Sequence, residues 1–139
     1  MLIIKQQPKK EPITIKHKLK GAEISLTIRP YDEDEIAAIR EKNTTYQFAK
    51  DPETQLLQRV KIVDFKTLGE DVMDHLVVSF SGVGSAKDAP LEVTRENKLL
   101  LADIDPGKGE KAILEVMYET ARSLSSVVKA EAEAEIKNS

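Results

Sequence analysis

Two short stretches near the start of the chain alternate apolar and polar residues, which is the period of a half-buried strand. The apolar positions of the two stretches are Ile13, Ile15 and Leu19, then Ile24, Leu26 and Ile28. Lys20-Gly21 separates the stretches, and glycine supplies the backbone freedom of a tight turn. The pattern therefore predicts an antiparallel hairpin that carries His17 on its apolar face.

A short helix is predicted at residues 32 to 42, where acidic residues precede an apolar stripe. Asp32 stands at the N-cap position, and Glu35 stands three positions further on, as in a capping box. The acidic residues of the first turn complement the positive end of the helix dipole. Ile36 and Ile39 form the apolar stripe.

The middle of the chain gives a weaker pattern. Residues 43–58 are polar, include Pro52 and have no clean period, so they are predicted to form a loop. An alternation around Val60 and Ile62 and the apolar run 75–80 follow. They fit either two further strands or a helix that leads into a buried strand, and short apolar runs do not decide between these alternatives.

The last third predicts two helices. Thr94 is placed to cap a short helix, which Asp105-Pro106-Gly107 ends. A long amphipathic helix follows, because apolar residues recur at helical spacing over about four turns. Its stripe consists of Ile113, Val116, Met117, Thr120, Leu124, Val127 and Val128. Beyond Lys129 helix propensity stays high but large apolar residues become rare, so we expect this end to fray.

Together these elements predict an α+β protein, with a small antiparallel sheet built around the N-terminal hairpin and packed by helices. At 139 residues the chain is long enough for one core but hardly for two separate domains. We therefore expect a single α+β domain at 1–129 and a charged helical tail at 130–139.

Composition and charge narrow the classes of function. The chain contains no cysteine, and no apolar stretch approaches the roughly 20 residues that span a bilayer, which predicts a soluble cytoplasmic protein without a membrane partner. Its formal net charge of -3 provides no basic field that would attract nucleic acid. The Lys-rich first twenty residues lack aromatic side chains that would stack on bases, so we interpret them as a solvated strand face.

Several residue combinations suggest chemistry only in part. Asp74 and His75 are adjacent, as in a pair that orients a general base, but no nucleophile or metal ligand is spaced to work with them. Asp103, Asp105 and Glu110 form only a fragment of a calcium loop. The turns at Gly82-Val83-Gly84 and Gly107-Lys108-Gly109 lack the rest of a phosphate-binding fingerprint. We therefore expect no enzymatic activity, no cofactor and no metal site.

Four strings along the chain are informative together: Leu26 to Glu35 entering a helix, Val77 to Val83, Ala89 to Asn97, and a charged C-terminal helix ending in Lys137-Asn138. In this order they resemble the small tail assembly chaperones of tailed bacteriophages and prophages. The resemblance spans most of the chain. Similar sequences often carry a Trp just before the Gly-Val pair, where this chain has Phe80 and Ser81.

The resemblance implies a protein of the bacterial host cytoplasm that binds the tape-measure protein and helps recruit tail-tube subunits around it. Such families often also make a longer product by ribosomal frameshifting. A chaperone for helical segments needs an apolar surface for its client. The predicted partner-binding residues are Val127, Val128 and Ile136 on the late helix, with Phe80 and Val83 at the Gly-rich turn.

Other functions remain open at this stage. The protein would be a structural tail or virion component if it stayed in purified particles. It would be a small non-phage protein-interaction domain if the resemblance failed. An enzyme or ligand-binding domain would need a pocket beside Asp74 and His75. A homo-oligomer is compatible with each of these functions.

Overall fold

The computed structural model describes residues 11–86 and 89–137, with side chains described as far as Ser126. The predicted α+β architecture is confirmed, with helices and small antiparallel sheets. The elements in chain order are β1 Ile13–Leu19, β2 Ala22–Ile28, α1 Glu33–Lys42, β3 Thr44–Lys50, β4 Leu57–Val63, α2 Phe65–Leu76, β5 Val77–Ser81, β6 Gly84–Ala86, β7 Ala89–Pro90, α3 Arg95–Ala102 and α4 Ile113–Lys137. The chain divides into two compact units, Met1–Tyr31 with Met73–Ser139, and Asp32–Val72.

The first unit is built on a three-stranded antiparallel sheet in the order β1-β2-β5. The predicted hairpin is confirmed, and its turn residues Lys20 and Gly21 have φ values of 51° and 77°. Two successive positive φ angles match the twist of a two-residue hairpin turn, which explains the glycine. His17 lies half-buried on the inner face of β1, where its Nε2 is 2.8 Å from the carbonyl oxygen of Lys111.

The core of the first unit combines the inner face of the sheet with α3 and α4. Its buried members come from β1, β2, α2, β5, α3 and α4: Leu19, Ile24, Leu26, Ile28, Met73, Leu76, Val77, Phe80, Leu101, Ile113, Val116, Met117 and Ala121. The apolar stripe predicted for the long helix is therefore the core face of α4 through its first turns. Thr120 and Leu124, further along the stripe, are half-buried.

Two polar contacts connect the helices and the sheet of this unit. Lys98 of α3 is buried, and its Nζ donates to both the carbonyl oxygen and Oδ1 of Asp74, at 3.0 Å each. Arg29 donates from its backbone N–H to the carbonyl oxygen of Leu76, and from its guanidinium to Nδ1 of His75. Because buried cations are costly without a partner, the Lys98–Asp74 pair fixes α3 against the end of α2.

The second unit contains α1, the two-stranded sheet β3-β4 and most of α2. The helix predicted at 32 to 42 is confirmed, and Oδ1 of Asp32 accepts from the backbone N–H groups of Asp34 and Glu35 at 2.9 and 3.1 Å. The loop prediction for 43–58 was wrong at both ends, because residues 44–50 form β3 and residues 57 and 58 begin β4. Both faces of β3 are exposed, so its alternation is limited to Tyr46 and Phe48 and is too short to identify a strand in the sequence.

The alternatives left open for residues 60–80 are also resolved. A strand, a helix and a buried strand follow one another as β4, α2 and β5. Asp64 begins α2 by accepting from the backbone N–H and the hydroxyl of Thr67 at 3.1 and 2.9 Å. The cap predicted at Thr94 is confirmed for α3, since its hydroxyl accepts from the backbone N–H of Asn97.

Candidate functional site

The residues predicted to bind a partner fall into two groups. The side chains of Val127, Val128 and Ile136 lie outside the described part of the chain, so their role stays a prediction. Phe80 is 5% exposed and pairs with Leu26 inside the sheet, where it contributes to the core. Val83 is half-buried beside an open depression of about 270 Å³, lined by the small residues of β6 and β7. Of the two residues at the Gly-rich turn, only Val83 is accessible to a partner in this conformation.

The residues considered for chemistry have structural contacts. Asp74 binds Lys98, and Nδ1 of His75 accepts from Arg29, so neither side chain is set apart for proton transfer.

Tyr118 lies on α4 beside Arg122, whose guanidinium is 5.7 Å from the tyrosine ring centre. Burial raises the pKa of the Tyr118 hydroxyl.

The carboxylate of Glu110 connects the β1–β2 turn to the loop that precedes α4. It accepts from the backbone N–H groups of Lys20 and Gly21 in the β1–β2 turn, and of Gly107 in its own loop, at 2.7 to 3.0 Å. These donors, Gly21 first, lower the pKa of Glu110 below its usual 4.5. Within the residues that the structure describes, no group of three or more His, Asp or Glu side chains converges as a cation site would require.

The largest departure from an ordinary surface is the two-stranded sheet of β3 and β4, which we call the ribbon (residues 44–63). Eleven large apolar side chains are exposed among the described residues, and six of them belong to the ribbon. These six are Tyr46, Phe48, Leu56, Leu57, Val60 and Ile62. Scattered apolar residues are ordinary on a protein surface, and their concentration in one hairpin makes the ribbon the candidate binding surface among the described residues.

Both ends of the ribbon are held by hydrogen bonds. At its base, Nδ2 of Asn43 donates to the carbonyl oxygen of Ile39 and to Oδ2 of Asp71, at 2.9 Å each. The backbone N–H of Asp64 closes the base by donating to the carbonyl oxygen of Asn43. The ribbon therefore begins and ends against the two helices of its unit, which offsets the marginal stability of an isolated hairpin.

At the tip, one carboxylate organises the turn. Oδ1 of Asp51 accepts from the backbone N–H groups of Glu53 and Thr54 at 2.8 and 3.1 Å, and Oδ2 accepts from the Gln58 amide. These bonds, with Thr54 the largest contributor, lower the pKa of Asp51. The exposed strands between base and tip are thus held in a defined conformation before any partner binds, which reduces the entropic cost of binding.

The register of the ribbon separates its charges. Tyr46 lies opposite Lys61, Phe48 opposite Arg59, and Lys50 opposite Leu57, and directly opposed residues share a face. We call this the cationic face, defined by Tyr46, Phe48, Lys50, Leu57, Arg59 and Lys61. The other face consists of Thr45, Gln47, Ala49, Gln58, Val60 and Ile62 and carries no charge.

Sequence reasoning missed the ribbon for an identifiable reason. The aromatic and cationic residues of β3 and β4 are separated in the sequence by the tip, and only the register brings them onto one face. A usable signal was present, since Arg59 and Lys61 are two positions apart and so share a face of any strand. The same spacing holds for Tyr46, Phe48 and Lys50.

Comparison with known family models, curated proteins and solved structures gives no match for this chain. No helix in the described ranges is long and apolar enough to cross a membrane.

Proposed function

We propose that the protein binds other polypeptides during the assembly of a phage-type tail, with the tape-measure protein as its partner. In this role it covers apolar segments of the tape-measure protein and helps recruit tail-tube subunits. The proposal combines the resemblance to tail assembly chaperones with one observation that carries it, the ribbon whose apolar side chains are exposed on both faces.

The geometry of the ribbon suits polypeptide binding in two ways. Its aromatic and aliphatic side chains offer contacts to an amphipathic helix, which binds through apolar residues on one face. Its two outer edges are open to an added strand, because β3 and β4 pair with no third strand among the described residues. A tail chaperone that accepts an extended or a helical client segment would use either mode.

The test is co-expression of the tagged full chain with fragments that tile a candidate tape-measure protein, followed by pull-down. We expect one or a few fragments to be captured, and capture to be lost on Phe48→Asp. Phe65→Asp is the matched control, because Phe65 is as exposed as Phe48 (76% and 75%) but lies at the start of α2. Failure to capture any fragment would overturn the proposal.

Two further experiments test the binding site predicted on the late helix and the alternative of a structural tail component. Val128→Asp tests the predicted site on the late helix, and loss of capture there would place the contact on α4 instead of the ribbon. Purified particles provide the second experiment, because an assembly chaperone is expected to be absent from them. Finding the protein at stoichiometric levels in particles would favour a structural tail component.

A further inference from the structure

The cationic face of the ribbon carries all the charge of its two strands. β3 and β4 contain three formally charged residues, Lys50, Arg59 and Lys61, and no acidic residue. The register places all three on one face, so the charge of the strands is confined to that side. Exposed charges on an ordinary soluble surface are mixed in sign, and a face of one sign indicates complementarity to a partner.

None of these three cations forms an ion pair with a described residue. The contact observed is that of Arg59, whose guanidinium carbon lies 3.8 Å from the centre of the Tyr46 ring. A guanidinium stacked on an aromatic ring keeps its N–H groups in the plane of the stack, where they can bind a carboxylate at two points. The ring thus positions the Arg59 guanidinium to donate hydrogen bonds to a carboxylate.

The apolar residues of the same face lie directly beside the cations. Phe48 and Leu57 are 75% and 72% exposed and occupy neighbouring rows of the ribbon, opposite Arg59 and Lys50. From the row of Tyr46 to the row of Lys50 the face extends about 13 Å, at roughly 3.3 Å per residue. That length corresponds to about nine residues of a helix, at about 1.5 Å per residue.

We propose that the cationic face binds an acidic amphipathic segment of a polypeptide, about nine or more residues long, with its apolar side chains on Phe48 and Leu57 and its carboxylates on Lys50, Arg59 and Lys61. The inference rests on the proposed function in so far as the partner is a polypeptide, and it adds the chemistry by which the partner is selected.

Nucleic acid is the competing partner for a face with aromatic and basic residues, and two observations favour a polypeptide. Arg59 covers one side of the Tyr46 ring, which leaves Phe48 as the more exposed aromatic residue of this face. Leu57, 72% exposed beside it, is aliphatic and suits an apolar side chain better than a base.

The experiment uses fluorescence anisotropy to measure binding of the full chain to a 20-residue helical peptide with Leu at every third or fourth position, Glu at three positions beside that stripe, and Ala or Gln elsewhere. A second peptide has every Glu replaced by Gln. We expect the acidic peptide to bind more tightly, and Lys50→Gln/Lys61→Gln to weaken its binding roughly fivefold to tenfold, as expected for the loss of two exposed ion pairs. Raising the salt concentration should reduce the difference between the peptides.

The matched control is Thr45→Glu/Gln47→Glu, which changes the net charge by the same amount on the opposite face of the same ribbon. It should leave the affinity for the acidic peptide within about twofold, since surface charges that are screened act only over roughly a Debye length. Circular dichroism melts of both variants confirm that they are folded. Equal weakening by the two variants, or equal affinity for the two peptides, would overturn the inference.

The outcomes separate this inference from the proposed function. Capture of a tape-measure fragment that is insensitive to Lys50→Gln/Lys61→Gln would remove the inference and leave the proposed function. Charge-dependent binding of the acidic peptide with no tape-measure fragment captured would remove the proposed function and leave the inference. A 20-nucleotide oligothymidine that displaces the acidic peptide at lower concentration than the unlabelled peptide itself would assign the face to nucleic acid and overturn the inference.

Discussion

Phe48 and Phe65 provide a controlled test of the ribbon, because they are the same residue type with nearly the same exposure. Phe48 is 75% exposed on the cationic face, and Phe65 is 76% exposed at the start of α2. Replacing either by Ala should change the free energy of unfolding by less than about 1 kcal/mol, since little of either side chain is buried. Only Phe48→Ala should weaken binding to a captured partner.

The magnitude follows from the exposed fraction. Complete burial of a Phe side chain is worth about 1.5–3 kcal/mol. Since three-quarters of the Phe48 side chain remains to be buried, a partner that covers it gains roughly 1–2 kcal/mol, or about fivefold to thirtyfold in Kd.

Isothermal titration calorimetry with a captured tape-measure fragment measures the two affinities, and thermal unfolding confirms that both variants are folded. The reasoning predicts a loss for Phe48→Ala and an affinity for Phe65→Ala within about twofold of the original protein. Equal losses for both variants, or no loss for Phe48→Ala, would refute it. The comparison is independent of net charge, because neither substitution alters a charged group.

Three further predictions concern the core and its polar anchors. Met117→Ala, at a fully buried position, should lower the free energy of unfolding by about 2–5 kcal/mol in urea titrations. Lys98→Met should destabilise the fold by about 1–3 kcal/mol, because the Asp74 carboxylate loses its nearer cation, at 3.0 Å, and keeps only Arg95 at 3.9 Å; Lys98→Met/Asp74→Leu should recover part of the loss. Glu110→Gln should lower the melting temperature at pH 7. The pKa of Glu110 is lower in the folded protein than its usual 4.5. The ionised carboxylate therefore stabilises the fold fully above pH 4.5, and this contribution is lost as the pH falls through the folded-state pKa. The two melting curves should therefore converge on acidification, and a gap that persists would contradict the assigned role.

The predictable parts of the fold are those in which the apolar pattern, the turn residues or the capping residues in the sequence match the buried face and the ends of an element. The β1–β2 hairpin has a period-two pattern because one face is buried, and its turn requires Gly21 at positive φ. Asp32 and Thr94 identify helix starts because their side chains accept backbone N–H groups wherever the helix is placed. The apolar stripe of α4 was predictable because one face of that helix is buried in the core.

The ribbon was not predictable in this way. Its strands are exposed on both faces, so burial imposes no long hydrophobic period on them. The short alternation at Val60 and Ile62 was compatible with a strand or a helix. Its stability comes from hydrogen bonds at the base, where Asn43 joins Ile39 to Asp71, residues 32 positions apart in the sequence. Phe80 could not be assigned from the sequence for a different reason. A Phe beside a Gly-rich turn fits either a surface contact or a core position, and only the pairing with Leu26 shows that it belongs to the core.

Hydrogen–deuterium exchange of the full chain, measured with and without a captured tape-measure fragment, tests most directly whether the protein works by binding a polypeptide on its ribbon. The amides on the outer edges of β3 and β4 should exchange rapidly in the unbound protein, because no third described strand pairs with them. Binding should slow exchange in peptides that cover residues 44–63 and leave residues 13–28 unchanged. Binding that protects other segments and leaves 44–63 unaffected would contradict this account.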